Sequence, residues 1–272
     1  MLIEVIGTKP EISKNAKNHL GKYKASCLVS SGPTNILVNV GDDILQRMNI
    51  TKLKALTHIL ITHAHLQAVS GIDILDKVLE ESNRVVQLYA SHEVLKILRL
   101  RYKLSNFQCN KIHTGKLFNI GGIFVKAINV FHAPDYPTFA YNFNGVFLYA
   151  SDMGPMVSKK DIKYMQNNIL SIIDGQYWNY QVISDNHITV LNHLSYILDL
   201  NNKYTLFTGM GNQWPNLKKS NKVITLRLRD YKKINKTCTI REVRTAREGE
   251  KISINIRKLI ERRKVRNKKI DI

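Results

Sequence analysis

Residues 57–71 read THILITHAHLQAVSG, and this stretch organises the rest of the chain. The apolar run Ile59, Leu60, Ile61 delivers two histidines, His63 and His65, into a short polar turn. Side chains on extended backbone repeat with period two, so a strand that ends in His-x-His presents both imidazoles on one side. Two neutral imidazoles held in that way are most of a metal site.

Working outward, residues 1–6 predict a first strand, and residues 25–40 (ASCLVSSGPTNILVNV) predict a hairpin about a Ser-Gly-Pro-Thr-Asn turn. Residues 7–24 are polar and lysine-rich, a loop by composition. Asp42 and Asp43 stand where they can cap a helix through Ile44, Leu45 and Met48. Beyond the turn, Ile72, Leu75, Val78 and Leu79 fall at helical spacing, residues 84–90 read as a strand, and a further helix starts at Ser91 or His92. This alternation of strands and helices argues for sheets covered by helices. His92 and His113 have no partner at ligand spacing and read as surface or cap residues.

A strand pair about Gly121-Gly122 ends at His132, and a second pair about Asn144-Gly145 ends at Ser151-Asp152. A third histidine and an aspartate thus each sit at a strand end, where loops can gather them beside His63 and His65.

The chain of 272 residues is long enough for a large α/β domain with an appendage. Its three cysteines, Cys27, Cys109 and Cys238, form neither a disulfide framework nor a C-x-x-C pair, which points to a reducing compartment. No segment is apolar for the length a membrane span needs, and the first residues read as a strand and not a signal peptide. The expectation is an intracellular protein, in cytoplasm or an organellar matrix, that is not secreted and has no membrane partner. The net charge of +20 is uneven: from Lys218 onward there are 20 Lys and Arg against 6 Asp and Glu. Such density favours phosphate-rich partners through counterion release, so nucleic acid, and RNA before DNA, is the expected partner of this region. In it, residues 222–228 and 237–243 alternate like strands and residues 253–265 read as a basic helix. No zinc knuckle, aromatic RNA-binding motif or GXXG loop says how sequence would be read.

Thr62, His63 and His65 resemble the opening of T-H-x-H-x-D-H, the signature of the metallo-β-lactamase fold, with Gln67 and Ala68 where that family has Asp and His. His132 and then Asp152 in YASDMG match the next two elements of the family, a lone metal-binding histidine and the aspartate that bridges two metals. Downstream, IIDGQYW and DNHITVLNHLSYI resemble the branch that contains the cyclic-phosphate phosphodiesterase of phosphonate breakdown, which matches Asp174 to a strand acid and His187 to a histidine that assists catalysis. His193 reads as a helix-face residue. Gly209, in the sequence LFTG, stands in the place of the last family histidine.

The resemblance implies an α/β chain with the αββα four-layer sandwich over residues 1–214, followed by a basic C-terminal extension over residues 215–272. It also implies a sorted site: the first metal set is complete in His63, His65, His132 and Asp152, and the second has lost its ligands at Gln67, Ala68 and Gly209. One zinc ion is the cofactor this set suits, since three imidazoles and a carboxylate are zinc ligands. The same side chains can also satisfy one another as a hydrogen-bonded cluster without an ion. Two functions follow as expectations: a single-metal phosphodiesterase acting on nucleic-acid or nucleotide phosphodiesters, with His187 and Asp152 in catalysis, or a catalytically inactive relative serving as an RNA-binding or structural subunit of a ribonucleoprotein.

Overall fold

A computed structural model describes residues 1–9, 22–179, 186–211 and 213–256. The chain runs β1 (Leu2–Gly7), β2 (Ser26–Ser31), β3 (Thr34–Val38), α1 (Ile44–Arg47), α2 (Ile50–Lys54), β4 (His58–Leu60), α3 (Leu66–Val69), α4 (Ile72–Glu81), β5 (Val86–Ala90), α5 (His92–Arg101) and β6 (Phe107–Lys111). It continues through β7 (Leu117–Ile120), β8 (Ile123–Val130), β9 (Thr138–Phe143), β10 (Phe147–Ala150), α6 (Lys159–Ile162), β11 (Leu170–Asp174), α7 (Val190–Asp199), β12 (Tyr204–Thr208), α8 (Leu217–Ile234), β13 (Glu242–Thr245) and β14 (Lys251–Ser253). Among the described residues these strands form two seven-stranded sheets, ordered β14-β1-β2-β3-β4-β5-β6 and β13-β12-β11-β10-β9-β8-β7.

Period-two alternation along the strands sets the layers. Cys27, Val29, Ile36, Val38 and Leu60 point from the first sheet into a core shared with Phe139, Tyr141, Phe143 and Ile172 of the second. Their neighbours Leu28, Leu37 and Ile59 point the other way and pack with residues of α4 and α5, among them Leu75, Leu79, Val94 and Leu98. On the far side, Ala140, Ile173 and Phe207 face Leu194 and Ile197 of α7 and Ile224 and Leu228 of α8. Helices, sheet, sheet, helices is the αββα sandwich that the resemblance implied. Strands whose two faces are both buried lack polar alternation, and the all-buried β9, β10 and β11 are of this kind.

The predicted hairpins form as read. Asn144 and Gly145 both take positive φ, 55° and 65°, which is what a two-residue turn between right-twisted strands requires. Ser91 caps α5 by accepting from the Val94 N–H. Asp43 precedes α1 without capping it, because its carboxylate accepts from the Lys24 N–H instead. The predicted loop over residues 7–24 lies largely outside the described residues.

The C-terminal elements need correction. Residues 222–228, expected as a strand, lie inside α8, where Ser220, Ile224 and Leu228 are buried one turn apart. The strand expected over residues 237–243 starts later, as β13, and pairs in parallel with β12. The helix expected over residues 253–265 falls mostly outside the described residues; Ser253 itself ends β14, which pairs antiparallel with β1. Residues 217–253 therefore supply an outer helix and an edge strand to each sheet.

Candidate metal centre

The strand ends gather the predicted residues at one edge of the sandwich. His63 and His65 follow β4, His132 follows β8, Asp152 follows β10, and Asp174 closes β11. One ligand nitrogen each of His63, His65 and His132 lies within 4.8 Å of the others, and the three ring centroids are 4.8 to 4.9 Å apart. His63 and His132 are buried, His65 half-buried.

Hydrogen bonds on the far side of the His63 and His132 rings fix which nitrogen of each faces inward. Thr62 donates its hydroxyl proton to Asn39 Oδ1, which also accepts the Thr62 N–H, both at 3.0 Å. The same hydroxyl oxygen lies 2.7 Å from His63 Nδ1, so that nitrogen is the donor and Nε2 keeps its lone pair. His132 Nδ1 donates to the Asn186 carbonyl at 2.9 Å, which leaves the lone pair on its Nε2. That Nε2 lies 3.1 Å from His65 Nδ1. Two imidazole nitrogens at this distance need a proton or a cation between them. Rings oriented by partners of this kind, with inward nitrogens converging, are a donor set suited to a metal ion.

Asp152 joins the cluster through an intermediary. The Gln67 amide nitrogen lies 3.1 Å from His63 Nε2 and donates to Asp152 Oδ1 at 3.2 Å, while Ser151 donates to Asp152 Oδ2 at 2.6 Å. Burial alone would raise the Asp152 pKa, but the imidazoles of His63, His132 and His187 outweigh it and hold the carboxyl below its ordinary value. A second pair stands alongside: His187 Nδ1 is 2.6 Å from Asp174 Oδ2, and the His187 ring is 4.6 Å from that of His132. Asp174 also accepts the N–H groups of Met153 and Gln176. Its carboxyl is pushed up by burial, against the pull of His187. His193 accepts the Thr189 N–H at 3.0 Å, a local helix-start contact consistent with a structural part.

Residues 34–210 match the family model described as the beta-lactamase superfamily domain. The chain belongs to the beta-lactamase superfamily. No curated protein sequence matches it. Among solved structures of like fold, a diphosphatase from the PhnP family superposes with a TM-score of 0.75 at 16% identity, over 92% of this chain and 96% of that one. Zn2+-bound PqqB from Methylobacterium extorquens gives 0.67 at 14% identity, over 93% and 100%. Human tRNase Z, short form, gives 0.66 at 15% identity, over 94% and 100%.

Measured against the superfamily signature, the departures now have places. Gln67 and Ala68 lie in α3, both buried, with Ala68 packed into the core between sheet and helices. Gly209 adopts φ +69°, a conformation L side chains rarely take, although the space beside it is open, with Ser151 O the nearest atom at 3.5 Å. Sequence reading missed Asn39, Thr62 in its orienting role, and the Asn186 carbonyl. It also missed Tyr136, whose ring meets His65 edge-on at 5.8 Å and lines a cleft of about 680 Å³ along the loop that carries His132. Phe131 and Met156 form exposed apolar rims of that cleft.

Proposed function

We propose that the chain is a single-metal hydrolase of phosphodiesters. The observation that carries this reading is the convergence of the inward nitrogens of His63, His65 and His132 within 4.8 Å beside Asp152. These four residues would hold one zinc ion. Bound there, zinc supplies Lewis-acid stabilisation of charge on a phosphoryl oxygen. Asp174 accepts from His187 Nδ1, and Nε2 of the same ring would exchange a proton with the leaving oxygen. The cleft beside His132 would receive the substrate, its apolar rims meeting a base or other flat group. The named activities of the PhnP-family diphosphatase and of tRNase Z support phosphoryl chemistry as the class.

The test is metal content of protein purified without chelator, together with hydrolysis of bis-p-nitrophenyl phosphate. About one zinc per chain and turnover abolished by His63→Ala are expected; zinc without turnover would overturn the catalytic part, and no zinc would overturn the centre.

A second reading, an RNA-binding or structural subunit without turnover, is favoured by the three replaced positions and by the charge of residues 215–272. On α8, Lys218, Lys222, Arg229 and Lys233 are exposed and fall on one face at helical spacing, and of these only Lys233 has an ion-pair partner among the described residues, Asp230. Under either reading this face contacts nucleic-acid phosphates. Changing Lys218, Lys222 and Arg229 together to Glu should lower affinity for single-stranded RNA and reduce its salt slope by roughly 2 to 3. Unchanged binding would place the contact elsewhere.

A further inference from the structure

Gln67 sits between two of the four candidate ligands. Its Nε2 is 3.1 Å from His63 Nε2 and 3.2 Å from Asp152 Oδ1, and a primary amide has two N–H groups, one for each. The polarity of this arrangement is fixed independently from the other side of His63. Because Thr62 uses its only hydroxyl proton on Asn39, His63 must donate through Nδ1 and accept through Nε2. The group that Gln67 turns towards it is therefore the NH2, and the carboxylate of Asp152 demands the same. The cost is visible at the opposite end of the amide: Gln67 Oε1 is buried and has no hydrogen-bond partner among the described residues. A buried bare carbonyl is unfavourable, so the side chain is held where it is by its two acceptors.

We propose that Gln67 is an internal competitor for the metal: its carboxamide occupies the electron pairs of His63 Nε2 and Asp152 Oδ1, and an ion enters only as that amide withdraws. The inference rests on the metal-centre reading above and deepens it. The aspartate of the family motif has no N–H and cannot hold these acceptors. The exchange of Asp for Gln thus does more than remove a ligand of the second metal. It makes occupancy of the first conditional, lowering affinity by the hydrogen bonds that must break and placing a unimolecular step before capture.

The test compares the wild type with Gln67→Met, which keeps the length of the side chain and removes both donors, and with Gln67→Ala as a smaller control. Affinity is read by zinc competition against a chromophoric chelator, and entry by stopped-flow absorbance with cobalt(II). Both variants should bind zinc about tenfold more tightly, one net hydrogen bond's worth. Cobalt uptake by the wild type should saturate at high metal, while uptake by Gln67→Met should stay proportional to metal concentration. Equal or weaker zinc binding by the variants, or wild-type uptake proportional to metal throughout, overturns the competitor and leaves the centre standing. Failure of all three proteins to bind either ion overturns the centre itself.

Discussion

Thr62 does for His63 what the Asn186 carbonyl does for His132: each fixes one ring nitrogen as a donor and leaves the other turned inward. Outer partners of this kind typically change metal affinity by about 10- to 100-fold. Thr62→Val, which keeps the shape and removes the hydroxyl, should weaken zinc binding by at least roughly tenfold on that scale, and a calorimetric titration reads it. At Gly209 the expected effect is on stability. Its φ of +69° makes Gly209→Ala destabilising by about 1 to 2 kcal/mol in urea unfolding despite the open space, because the cost is in the backbone. The imidazoles and carboxylates of the centre were legible in the sequence because each follows an apolar strand. Asn39, which holds Thr62, and the Asn186 carbonyl, which holds His132, were not, since they act across loops and leave no local pattern.

The helix α8 shows where element reading fails and why. Ile224, Leu226 and Leu228 alternate with polar residues and look like one face of a strand, and β-branched Val223, Ile224 and Thr225 strengthen that impression. The competing period is also present: Ser220, Ile224 and Leu228 are four apart, and Asn216 accepts the Lys219 N–H as a helix cap. Tertiary packing against β13 and α7 decides between them. The two arrangements predict different mutants. A strand would bury Leu226 with its neighbours, whereas in α8 it is 50% exposed and Ile224 is fully covered. Ile224→Ala should therefore cost about 2 to 5 kcal/mol, and Leu226→Ala within about 0.5 kcal/mol of nothing, both by denaturant titration. The hairpins about Gly121-Gly122 and Asn144-Gly145 were legible because their turn chemistry is local.

At the scale of the whole molecule, the two sheets are closed by strands drawn from the last part of the described chain, β13 beside β12 and β14 beside β1. A basic segment read from charge alone would be taken as removable. The pairing says otherwise: a chain ending at Ile240 loses both edge strands and should not fold, as circular dichroism would show. The turn between these strands adds to the closure. Glu248 Oε1 accepts the N–H groups of Thr8, Lys22 and Tyr23, and Arg244 pairs with Glu250. Leu2 is matched with Ser253, among the most sequence-distant neighbours a chain of this length can make. During synthesis, then, the outer flank of β1 waits for residues 251–253, the strand that covers it, to leave the ribosome. The nascent sheet carries an open edge all that time, and the interval before its final strand arrives is when a chaperone or a stray β-strand from another molecule would find it.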